Sequence, residues 1–191
     1  MTRRVSTPAY IAALVLGAGA IAGPAQALDT IIGGMAAACA KDARNGIATK
    51  EAVDNCTDAL MAETMTMRDR AATMVNRGTM YLVRKDWDAA VLDFDLAIRM
   101  QPKMGEAYVN RGAALVGKEK FAEGEAQITY GLTFSPEKPE RAYYNRALAR
   151  WRLDNLKGAY LDFRTALELK PGWEEPSQQL AYFTVTPVSR R

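Results

Sequence analysis

Asn76-Arg77-Gly78 recurs as Asn110-Arg111-Gly112 and again as Asn145-Arg146-Ala147, and Pro102, Pro136 and Pro171 close the three copies. Both sets of markers are spaced by 34 residues and then by 35. A period of about 34 is the length of one helix–turn–helix unit, which is too small to bury a core alone and must stack on its neighbours. The sequence therefore predicts an all-α solenoid. Each copy divides into a helix A and a helix B: 71–84 and 87–100, then 105–117 and 121–134, then 140–153 and 156–170. The prolines end each B helix, because the residue before a proline is barred from helical conformation and proline itself donates no backbone bond.

Side chains within the copies follow packing logic. Gly78, Gly112 and Ala147 share one position of helix A, and Ala90, Gly124 and Ala159 share one of helix B. Small residues at both points let the two helix axes approach. Met74, Tyr108 and Tyr143 on helix A, with Phe94, Ile128 and Phe163 on helix B, then fill the space around them. These are core positions, not a cofactor box. Gly124 and Gly131 are expected to weaken their B helix by about 1 kcal/mol each.

The period, taken with the pattern of large, small, aromatic and proline positions, resembles the tetratricopeptide repeat family, of an exported bacterial type. The likeness covers about a hundred residues, in repeats 71–104, 105–138 and 140–171. Arg150 departs from it, standing where that family commonly carries leucine or an aromatic residue. By the same resemblance residues 28–66 form a degenerate fourth repeat, with Ala52, Cys56 and Ala59 at the B-helix core positions and Cys39 on the facing A helix. Residues 172–191 are expected to hold a short capping helix near 175–183, followed by a tail.

Residues 1–27 read as a secretory signal: Arg3 and Arg4, an apolar run from Ala9 to Ala22, then Ala25-Gln26-Ala27, with cleavage expected before Leu28. Prolines and glycines interrupt the apolar run, which falls short of the roughly 20 residues a membrane span needs. Periplasmic or secreted localisation, without membrane insertion after cleavage, is the expectation. In an oxidising compartment Cys39 and Cys56 are expected to pair across two short helices, 30–44 and 49–63, with Thr49 as N-cap. The alternatives are two free buried thiols or a redox pair, the latter lacking a C-x-x-C spacing.

Composition narrows function. The chain has no histidine, so the commonest general base and metal ligand are missing. Of 25 basic side chains, losing Arg3 and Arg4 leaves 23 against 22 acidic ones, which gives no electrostatic case for nucleic acid. No phosphate loop or nucleophile–base pair is visible, so the chain reads as non-catalytic, with no cofactor and no metal. Met61, Met65, Met67 and Met74 could ligate Cu(I), but thioethers packing a linker onto the repeats are the stronger expectation.

What remains is binding. The family resemblance places the A helices on a concave face, where asparagines hydrogen-bond an extended peptide backbone. It nominates Asn76, Asn110 and Asn145, and by i, i+3, i+4 spacing Glu106, Val109, Arg141, Tyr144, Leu148 and Arg152 are expected to project toward the same face. Asparagine offers both a carbonyl acceptor and amide donors for that task. The competing expectation is structural, with Asn bonding between adjacent A helices and each Arg laid along a repeat interface. Val75 and Thr79 in the first repeat argue against a dedicated carboxylate clamp, while Arg141 and Arg152 favour an acidic ligand. The alternative role is an accessory subunit of an envelope or secretion assembly that uses its convex surface.

Overall fold

The turns fix how each repeat closes. Lys85, Glu119 and Asp154 occupy the same place in the three A–B turns and share the same left-handed backbone, φ 61° in each. One residue in this conformation reverses the chain within a few residues. The computed structural model describes residues 34–183. These fold as α1 (Met35–Arg44), α2 (Lys50–Ala62), α3 (Met67–Val83), α4 (Trp87–Met100), α5 (Gly105–Gly117), α6 (Phe121–Leu132), α7 (Pro139–Arg152), α8 (Leu156–Leu169) and α9 (Glu174–Leu180), and no strand occurs among the described residues. The expected signal segment and the tail from Thr184 lie outside them.

Capping explains the boundaries. α3 begins four residues before the expected start at Ala71. Thr66 accepts from the Asp69 amide at 3.1 Å while its hydroxyl donates to the Asp69 carboxylate at 2.7 Å, and this anchors an extra turn. Thr49, Asp86 and Asn155 cap α2, α4 and α8 by accepting from the amides of Ala52, Ala89 and Gly158. α6 stops at Leu132, two residues earlier than expected, and α9 at Leu180, three residues short.

Helices pair within repeats as α1 with α2, α3 with α4, α5 with α6 and α7 with α8, and each B helix then packs on the next A helix. Successive A helices also touch, whereas successive B helices do not pack on one another to any comparable extent. The stack therefore curves, with A helices inside and B helices outside. Phe94, Ile128 and Phe163 are fully buried at the centres of the three repeats, and Gly78 is small because a Cβ there would stand 2.6 Å from the Phe94 ring.

The second repeat corrects the expectation about its glycines. A Cβ on Gly112 would lie 2.8 Å from the Gly124 carbonyl, and one on Gly124 would lie 2.9 Å from the Gly112 carbonyl. Gly105 and Gly131 face each other in the same way, at 2.9 Å in both directions. Here the obstacle is backbone, which cannot swing aside. The glycines let the two helix backbones meet directly at these points, so their low helix propensity is offset by packing.

Candidate functional site

The three motif asparagines sit on successive A helices, α3, α5 and α7, at one register. They are shielded: Asn76 and Asn110 are 0% exposed and Asn145 is 1% exposed. Neither polar atom of the Asn76 carboxamide has a hydrogen-bond partner. An amide buried in that condition costs on the order of 1–3 kcal/mol. Beside it, the Thr79 hydroxyl donates to the Val75 and Asn76 carbonyls at 2.6 and 2.9 Å, which turns that side chain back onto its own helix.

The flanking candidates fall into distinct settings. Val109 is fully buried in a cluster with Val116, Ile128, Ala142 and Ala149. Tyr144 lies in the core of the third repeat, 5.7 Å from the Phe163 ring and 5.0 Å from that of Trp173. Burial, reinforced by Glu175, pushes its phenol up to about 12. Leu148 packs on the same cluster. Glu106 accepts from the Glu137 amide at 3.0 Å and so ties α5 to the connector before α7. Arg152 stacks 4.5 Å above the Phe121 ring and reaches Glu119 at 3.9 Å, facing the preceding turn. Arg141 opens α7 next to Lys138. Burial lowers both from their ordinary values, and the Arg141 charge lowers Lys138 further. Glu137 and Glu140 act against these shifts on Lys138, and Glu140 and Glu175 on Arg141, so the start of α7 mixes both signs of charge, apart from Arg152.

The arginine of each motif has an assignment that side-chain type alone did not reveal. Arg77 donates through Nε and Nη2 to both Asp93 oxygens, at 2.8 and 2.7 Å, and through Nη1 to Thr57 on the preceding B helix at 3.0 Å. Arg146 repeats this with Asp162, at 2.8 and 2.9 Å, and with Thr129 at 3.3 Å. In the second repeat Gln127 stands where the aspartate would be, and Arg111 turns to Asp95 on the preceding B helix at 2.6 Å. Arg150 extends the third clamp to Asp162 and Glu125, at 2.9 and 2.7 Å. That explains its departure from the family pattern: an ion-pair bridge replaces an apolar contact. The signal was present in the sequence, since Asp93 and Asp162 each lie 16 residues after their arginine.

Cys39 and Cys56 form a disulfide. Both are fully buried, and the Met80 sulfur of α3 lies 3.6 Å from that of Cys56. Of the methionines, Met61 and Met67 are exposed and Met65 packs on the hairpin. Among the described residues no group of three or more His, Cys, Asp or Glu could hold a metal ion, and no helix is long and apolar enough to cross a membrane.

No family model matches the chain. Among curated proteins it is similar to the DnaJ homolog subfamily C member 7 homolog of Dictyostelium discoideum, at 31% identity over 98 residues. That alignment covers 49% of this chain and 18% of the relative, so the chain spans about a fifth of the protein it matches. Among solved structures, the Arabidopsis OM64 TPR domain superposes with a TM-score of 0.57 at 28% identity, over 61% of this chain and 95% of that one. The first TPR of Spaghetti (RPAP3), bound to the HSP90 peptide SRMEEVD, superposes with a TM-score of 0.56 at 24% identity, over 60% of this chain and 92% of that one. The fold is that of tetratricopeptide repeats, an α-solenoid of helical hairpins.

Proposed function

We propose that the chain is a non-catalytic protein-interaction module that takes an extended peptide or partner helix along the inner surface of α3, α5 and α7. The observation that carries this reading is the register of Asn76, Asn110 and Asn145, with the Asn76 carboxamide buried and its hydrogen bonds unmade. A ligand backbone entering there would supply both a donor and an acceptor. The fold supports the reading, since the Spaghetti domain of the same fold holds a peptide. Because the three amides are shielded from solvent, engagement requires the inner surface to open locally. In this reading residues 1–27 direct export, and the module works in an oxidising compartment.

The test is selection of binders from a displayed random-peptide library, followed by affinity measurement on wild type and on an Asn76→Ala, Asn110→Ala, Asn145→Ala variant of matched stability. Loss of binding of about tenfold or more in the variant is expected, from two or three backbone hydrogen bonds. Equal affinity for both proteins would remove the groove from the argument.

A second reading rests on a different surface. Leu92, Ala126 and Leu161 occupy one register of the three B helices and are all exposed, with exposed Tyr130 beside them. An apolar stripe along the convex side suits an accessory subunit that docks into a larger envelope or secretion assembly. Leu92→Glu with Leu161→Glu would abolish that association and leave peptide binding unchanged.

A further inference from the structure

The N-terminal hairpin is built unlike the repeats it leans on. Its buried side chains are Ala36, Cys39 and Ala40 on α1, and Ala52, Cys56 and Ala59 on α2. None is larger than cysteine. Where the other repeats place Phe94, Ile128 or Phe163, this one places one half of a disulfide. Side chains of this size bury little apolar area, while ordering two helices opposes folding at every residue. The covalent bond between positions 17 apart removes a large part of that opposing entropy.

The hairpin's grip on α3 is also distinctive. Arg70, Arg77 and Arg84 are spaced by seven residues, two turns of helix, and so lie along one edge of α3. Each donates to α2 or the loop before it: Arg70 to the Leu60 carbonyl at 2.7 Å, Arg77 to the Thr57 hydroxyl at 3.0 Å and Arg84 to the Ala48 carbonyl at 3.2 Å. Between them Ala72 and Met80 are sealed by the hairpin's alanines and cysteines.

We propose that the Cys39–Cys56 bond is a redox latch: oxidised, it holds α1 and α2 against α3; reduced, it releases them and uncovers the Arg70–Arg77–Arg84 edge of α3 while the second and third repeats, α5 to α8, stay folded. The reductant is a dithiol. Its thiolate attacks one sulfur, a mixed disulfide forms, and the second thiol closes a ring. The S–S bond of the protein gains two electrons and two protons, giving two cysteine thiols, and the dithiol leaves as its cyclic disulfide. Because both sulfurs are buried, exchange waits on transient opening of the hairpin, so the latch responds to sustained reducing conditions.

The experiment is amide hydrogen exchange on the full chain with and without dithiothreitol, with thiol labelling to verify two free cysteines. Reduction is expected to lower protection across α1 and α2 by about a hundredfold, the effect of losing the cross-link, and to leave α5 to α8 within about threefold of their oxidised values. A Cys39→Ala, Cys56→Ala variant should show the same pattern without any reductant. Undiminished protection of α1 and α2 in the reduced protein or the variant overturns the latch. So does loss of protection in all helices together, because the hairpin would then be part of a single cooperative unit.

Discussion

Tyr144 and Arg146, two residues apart on α7, illustrate how this fold uses polar atoms in dry places. Arg146 and Asp162 are nearly buried and joined by two hydrogen bonds. Removing one member strands a charge, so Asp162→Ala should lower the unfolding free energy by about 3 kcal/mol in urea titration. The same substitution also takes a partner from Arg150. Tyr144 acts through a proton. Its phenol ionises near 12 in the folded chain and near 10 when unfolded, so between those values the folded state keeps a proton the unfolded state has lost. Stability present below pH 10 is therefore lost as pH climbs towards 12, by on the order of 2 kcal/mol. Urea titrations at pH 9 and 11.5 should show this decline in wild type and a shallower one in Tyr144→Phe.

At the scale of elements, the contact between α5 and α6 is where sequence reasoning and structure part. The small-residue positions were legible from periodicity, and so were the helix pairs, the closing prolines and Thr49 as a cap. Propensity suggested that Gly124 is a weakness, because it registers the chain's freedom but not the carbonyl of a facing helix. Gly124→Ala should therefore destabilise by about 1–3 kcal/mol in thermal or urea unfolding, although alanine is the better helix former. The early start of α3 was missed because the capping residues Thr66 and Asp69 precede the first repeat. Of the candidate site, the register of Asn76, Asn110 and Asn145 was readable, but their shielding was not, since it depends on neighbours far along the chain. The placement of Tyr144 was misjudged for the same reason: Trp173, 29 residues on, draws it into the core. The arginine clamps were written at a spacing of 16, which crosses a turn and so escapes any helical-face argument.

For the whole molecule, the dissimilar hairpin predicts uneven stability. Protection should be lowest at α1 and α2 even in the oxidised protein, and highest around Phe94, Ile128 and Phe163, as amide exchange would map. The clamps carry a further consequence. Arg77 and Arg146 take their carboxylates from their own B helices, but Arg111 borrows Asp95 from the repeat before it. At the register of Asp95 the hairpin offers Thr57 and the third repeat offers Arg164. If the second repeat were moved behind the third, Arg111 would meet Arg164, like charge against like; behind the hairpin it would meet only a hydroxyl. The copies share a shape but not a set of neighbours, so their order is itself encoded. A shuffled gene would yield the same outline with a broken seam.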